Sequence, residues 1–190
     1  MANPHNPNNP IAVGHRIKGK LVASHVHDFK KIQDICDLFG FQVRYTEWYD
    51  EKHGKIRFRY QGAQGAMPYV TKSVNIAGQN RKIDAGTEIS IWWPRNIKKL
   101  NGKFVEDNPK EIYWINEIEQ DDDVILECPI VSSDRKDFIA GFQNGPKIRV
   151  VIPEYPEIGY SFLGIYEMDL VESSKQNRAV WKRISKEFVL

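Results

Sequence analysis

Aromatic and cationic residues interleave along the first hundred or so positions of this 190-residue chain. Trp48-Tyr49, Tyr60, Trp92-Trp93 and Tyr113-Trp114 stand at or near the ends of strand-like segments. Arg57, Arg59, Lys72, Arg81, Lys82, Arg95, Lys98 and Lys99 lie in or beside the same segments. An exposed ring flanked by Arg and Lys can stack on a nucleobase while the cations neutralise its neighbouring phosphates. Neighbouring residues on a strand point to opposite faces, so in Trp92-Trp93 and Tyr113-Trp114 one ring can fill the core while the other faces outward. For any single ring, burial in the core is the commoner fate. Trp92, Trp93, Trp48, Tyr49 and Asp84 are the candidates for a base pocket, although Asp84 also suits an ordinary turn between Lys82 and Gly86. Arg57, Arg59, Arg81, Lys82, Arg95, Lys98 and Lys99 are the candidates for contact with a nucleic-acid backbone.

The charge distribution agrees with that partner. Residues 1–100 carry 16 basic and 8 acidic side chains, a balance of +8, and residues 101–190 carry 11 and 17, a balance of −6; the two sum to the net +2. One surface could attract phosphate while another repels it. Because halves of a sequence need not be halves of a surface, the same counts also suit ordinary solvated charge.

Other chemistries find little support. Gly164-Ile165-Tyr166 resembles the opening of a GIY-YIG nuclease, but the second Tyr-Ile-Gly is missing. Asp50-Glu51-Lys52 and Asp134-Arg135-Lys136 lie in turn-like segments, not on the strand that a metal-dependent PD-(D/E)xK nuclease requires. Asp121-Asp122-Asp123 lacks the alternate spacing and terminal Glu of a calcium loop. His25 and His27 lack an evident third imidazole, so no metal or other cofactor is expected. Neither a nucleophile elbow nor a Gly-rich phosphate loop occurs. The expectation is a binding module with no catalytic residue of its own, although an enzyme without a recognisable motif is an alternative.

The composition, 41% hydrophobic and 12% aromatic, excludes collagen, coiled coil and wholesale disorder, and the length suits one domain with one core. Residues 1–10, with three Pro and four Asn, read as a flexible leader without the apolar core of a signal peptide, leaving 11–190 as a single domain. The run Val124 to Val131 is too short to span a bilayer and is interrupted by Glu127. Cys36 and Cys128, far apart in sequence, suit reduced core residues and a cytoplasmic location.

Several elements must position these residues. Phe29, Ile32, Ile35, Cys36 and Phe39 recur at helical spacing, predicting a helix over 29–39 capped by Asp28 and stopped by Gly40. The period then changes to two: Phe41 to Trp48 and Ile56 to Tyr60 predict a hairpin closed by a turn over Asp50 to Gly54, with Arg57 and Arg59 sharing one face. Further strands are expected in Ile11 to Ala23, Tyr69 to Ile76, Glu88 to Trp93, Glu111 to Ile118, Val124 to Cys128, Lys147 to Ile152, Phe162 to Met168 and Ala179 to Ile184. A short helix or loop is expected over Leu170 to Arg178. Many short strands without βαβ alternation predict a mostly-β α+β fold, a curved barrel with one or two peripheral helices.

The segment Tyr160 to Asp169, followed after a polar insert by Val180 to Ile184, resembles the closing strand pair of PUA-like modules, particularly the SRA-type domains of modification-dependent restriction endonucleases. Lys52 to Tyr60 resembles a hairpin of the same proteins, and together the matches cover about a quarter of the chain. The resemblance implies a PUA-like, SRA-like barrel that binds double-stranded DNA and flips one modified base, methylated or hydroxymethylated cytosine, into a pocket. It also implies service to a nuclease domain or subunit in restriction and antiviral defence. The family's pocket lies mid-domain, outside the matched segments, so the resemblance transfers no pocket residue. An RNA-binding PUA-like module would use the same basic and aromatic surface.

Overall fold

The computed structural model describes residues 19–23, 29–41, 44–52, 54–61, 66–76, 78–94, 99–100, 103–104, 114–119, 121–129, 139–142, 146–155 and 159–190. The predicted leader, His25, His27 and the predicted cap Asp28 lie outside the described residues. In chain order the elements begin with β1 (Lys20–Val22), α1 (Ile32–Phe39), β2 (Arg44–Asp50), β3 (Lys55–Gln61), β4 (Ala66–Val70), β5 (Val74–Asn75), β6 (Lys82–Ile83) and β7 (Glu88–Trp92). There follow β8 (Lys99–Leu100), β9 (Lys103–Phe104), β10 (Trp114–Ile118), β11 (Val124–Pro129), β12 (Ile148–Val151), β13 (Glu154–Tyr155) and β14 (Gly159–Tyr160). The chain closes with β15 (Gly164–Met168), α2 (Leu170–Gln176), β16 (Ala179–Ser185) and β17 (Glu187–Val189).

Seven strands form the central sheet, in the order β10-β11-β16-β15-β12-β7-β4. All neighbours are antiparallel except β7 and β12, which run parallel in the register Ser90↔Arg149, Ile91↔Val150, Trp92↔Val151. The sheet curls into a half-barrel, and the result is the predicted mostly-β α+β fold of the PUA-like, SRA-like kind. Its central strands are buried on both faces, which is why they read as apolar runs instead of alternating. Ile89, Ile91, Val150 and Ile165 pack on one face with Phe39, Phe162 and Phe188. Trp92, Val151, Tyr166, Met168 and Trp181 pack on the other with Ile125 and Leu163. Among the described residues no helix is long and apolar enough to cross a membrane.

The helix over 29–39 is present but starts three residues late. Phe29 is taken by β14, exchanging backbone hydrogen bonds with Tyr160 (3.0 and 2.7 Å), so its N–H and C=O cannot join a helical turn. Asp34 accepts from the backbone N–H of Lys30 and Lys31 (3.1 and 3.0 Å), which satisfies donors at the new start. Gly40, at φ +71°, ends the helix as predicted, and Ile35, Cys36 and Phe39 are its buried face.

The expected strand over 69–76 is broken at Thr71. That residue turns the chain by pairing its N–H with Thr87 O (3.1 Å) and accepting from Gly86 N (2.9 Å), leaving β4 and β5 in separate ladders. Leu170 to Arg178 resolves as α2. Asp169 caps it by accepting from Glu172 N (2.9 Å), and Asn177 closes it at φ +53°.

Candidate functional site

The central register gathers polar and aromatic residues onto one sheet face. Residues paired across strands share a face, so Ser90, Arg149, Tyr166 and Arg183 line up across β7, β12, β15 and β16. Trp92 and Val151 lie two residues along the same face, as does Trp181 on β16, opposite Ile125 of β11. Glu127, two residues beyond Ile125 on β11, belongs to that face as well.

At its centre is a buried cation. Arg149 Nη1 donates to Glu127 Oε2 at 2.8 Å, with side chains 11% and 9% exposed. Trp181 Nε1 donates to the same carboxylate oxygen at 3.0 Å. The guanidinium carbon lies 4.4 Å from the Trp92 ring centroid, 4.0 Å from that of Trp181 and 5.3 Å from that of Phe142. The rings form a cup: Trp92 and Trp181 tilt by 43° at 5.9 Å, and Phe142 meets Trp181 edge-on at 5.6 Å. A desolvated guanidinium over a ring is worth about 2 kcal/mol per contact, and the cup presents three. Burial still dominates, lowering the Arg149 pKa below the ordinary guanidinium value while the Glu127 charge opposes the shift. Arg149 Nε is buried with no hydrogen-bond partner among the described residues, so the carboxylate and the π faces carry the stabilisation. The rings, the cation and the carboxylate satisfy one another in a closed cluster: Trp92 and Trp181 are 4% and 0% exposed, so their faces are covered by Arg149 and the surrounding core.

The five pocket candidates are not brought together. Trp92 joins the cup, while Trp93 turns to the opposite core beside α1; they are 4% and 5% exposed, so neither is the outward ring expected of such a pair. The reason is the two-sided burial of β7, which leaves alternate residues no solvent to face. Asp84 is exposed and pairs with Lys82 at 3.0 Å. Tyr49 is 62% exposed near the tip of the β2–β3 hairpin. Trp48 is described as a residue of β2 directly across from Arg57 of β3, with Arg59 two residues further along the same face. Among the backbone candidates, Arg81 is engaged in a two-pronged pair with Glu167 (2.7 and 2.7 Å). Lys99 is described as a residue of β8, and Arg95 and Lys98 lie outside the described residues, as does Tyr113.

Arg149, Glu127, Trp181 and Phe142 were absent from the sequence candidates. A signal existed for two of them: Arg149 and Glu127 are single charges inside the apolar runs of β12 and β11, and charge in a strand buried on both faces demands a partner. Nothing in the sequence said that each was the other's partner.

The Asp121-Asp122-Asp123 run has a structural occupation. Arg183 Nη2 donates to Asp123 Oδ1 and, at 3.0 Å, to Asp121 O, while Tyr166 donates its hydroxyl proton to Asp122 O. An arginine already supplies the positive charge at this turn. Among the described residues no group of three or more His, Cys, Asp or Glu could hold a metal ion.

No protein-family model matches the chain, and no curated protein matches it. Among solved structures, the fold is similar to that of the 5-hydroxymethylcytosine-specific restriction enzyme AbaSI, with a TM-score of 0.52 and 20% sequence identity. The match covers 98% of this chain and 46% of that one, so this chain spans less than half the length of AbaSI. At that identity the likeness is one of fold.

Proposed function

We propose that this chain is a DNA-binding domain that reads a modified base, methylated or hydroxymethylated cytosine, and serves a restriction protein whose nuclease lies in another domain or subunit. The observation that carries the reading is the AbaSI likeness, which extends over 98% of this chain while leaving more than half of the larger enzyme unmatched. Trp92, 4% exposed with Arg149 over its ring, is kept in this reading as a residue to vary. A base turned out of the duplex costs a few kcal/mol, and stacking of about 1–3 kcal/mol per base plus edge hydrogen bonds can offset that. The other pocket candidates, Trp93, Trp48, Tyr49 and Asp84, stay with this reading as residues to vary, and its setting is cytoplasmic antiviral defence.

The test is a binding titration of the chain with duplexes carrying unmodified, methylated or hydroxymethylated cytosine, each at two salt concentrations. The expected result is salt-dependent binding to all, tightest for one modified duplex. Equal binding to all three removes base reading, and negligible binding to all removes DNA binding altogether. Stronger competition by single-stranded RNA than by the modified duplex would favour an RNA-binding module instead.

A further inference from the structure

The β2–β3 hairpin stands apart from the central sheet: its two strands pair with each other over seven residues, and among the described residues no third strand joins them. Its register sorts the sequence sharply. Arg44, Thr46, Trp48 and Asp50 of β2 face the partners Gln61, Arg59, Arg57 and Lys55 of β3, and cross-strand partners share a face. The alternate set is Tyr45, Glu47 and Tyr49 with Tyr60, Phe58 and Ile56. One face therefore holds four basic residues (Arg44, Lys55, Arg57, Arg59), one acid (Asp50) and a tryptophan directly across from Arg57. The other holds aromatic and aliphatic residues with the single charge Glu47.

We propose that this hairpin is a DNA-binding ribbon whose Arg44–Lys55–Arg57–Arg59 face lies against the groove of B-form duplex DNA. The inference rests on the DNA-binding reading above and assigns it the hairpin as its contact surface. Seven residues at about 3.3 Å each make a ribbon of roughly 23 Å, and a two-stranded ribbon fits the B-DNA major groove, which is about 12 Å wide. Lys55, Arg57 and Arg59 repeat every second residue along β3, with Arg44 on β2 across from Gln61, and cations so spaced meet the phosphates that flank the groove, each neutralised phosphate releasing counterions. Trp48 stands directly across from Arg57 in the register, a residue type able to make apolar contact with a base edge or a sugar. A-form RNA offers a major groove too deep and narrow for such a ribbon, so the proposal commits to DNA.

The experiment measures affinity for a hydroxymethylcytosine duplex against salt between roughly 50 and 200 mM, the range in which phosphate contacts dominate. It compares the wild-type chain with the triple variant Arg44→Gln/Arg57→Gln/Arg59→Gln. A second triple, Lys147→Gln/Lys175→Gln/Lys186→Gln, removes equal charge from exposed positions elsewhere. The hairpin triple is expected to lower the slope of log affinity against log salt by about 3 and to weaken low-salt binding at least about tenfold; the control is expected to shift the slope by less than about 1. The corresponding Arg→Lys triple should keep the slope. Phenylglyoxal footprinting of the wild-type chain needs no variant to fold, and duplex DNA should protect Arg57 and Arg59. A wild-type chain that binds no duplex sinks the DNA reading and the ribbon with it. A wild-type chain that binds, with the hairpin triple indistinguishable from the control, Arg57 and Arg59 unprotected, or duplex RNA competing as well as DNA, sinks the ribbon alone.

Discussion

Arg149 and Glu127 reach each other from β12 and β11 across two intervening strands, at 2.8 Å and with each side chain about one-tenth exposed. Neither charge has an alternative in water. Removing one partner strands the other, at a cost of about 3–5 kcal/mol, whereas replacing both with apolar residues of similar volume is close to neutral. Glu127→Ala and Arg149→Met should therefore each destabilise strongly in urea unfolding, and Glu127→Leu/Arg149→Met should lose much less than their sum. Additive losses would show that the two side chains act independently.

Acid should weaken the fold in part through Glu167. The hydrogen bonds from Arg81 hold its carboxyl below the ordinary 4.5, as the N–H of Glu172 and the ammonium of Lys182 hold Asp169 below 3.8. A carboxyl depressed in the folded state contributes stability that is present above its unfolded value and disappears as pH falls through its folded one. The Glu167→Gln variant should be less stable at neutral pH by at most about 1 kcal/mol, since the pair is partly solvated, and should lose less on acidification. Melting temperatures from neutral pH down to about 3 check this, and parallel curves for variant and wild type would refute it.

Both thiols should be inert in the folded chain. Burial pushes Cys36 up to about 11, with the Asp37 charge adding to the shift, and Cys128 is also buried. Since the thiolate is the reacting species, a disulfide reagent near pH 8 should label neither residue until denaturant is added, when both cysteines react. Fast labelling of Cys36 under native conditions would contradict the packing of α1.

Gly164 opens β15 at φ +142°, a conformation that L side chains rarely adopt, and a Cβ there would collide with the Ser185 carbonyl oxygen of β16. The obstacle is backbone and cannot swing aside. Gly164→Ala should cost well over about 1 kcal/mol, seen as a lower urea midpoint, while Gly141→Ala meets no atom within 4 Å and should be nearly neutral.

The sequence alone determined the elements whose signals are local. Helical spacing and Gly40 placed α1, and period-two alternation with the turn after Asp50 placed the β2–β3 hairpin and the shared face of Arg57 and Arg59. Even there, the start of α1 escaped, because Phe29 was claimed by Tyr160, 131 positions along the chain. Only the tertiary structure decided the cup. Trp92, Glu127, Phe142, Arg149 and Trp181 come from separate segments of the chain, and what unites four of them is strand order and register. A one-residue slip would send any one of those strands' members to the other face. The two tryptophans at 92 and 93 show the same limit: alternation predicts opposite faces, but only the layers packed on both sides of β7 determine that neither face is solvent.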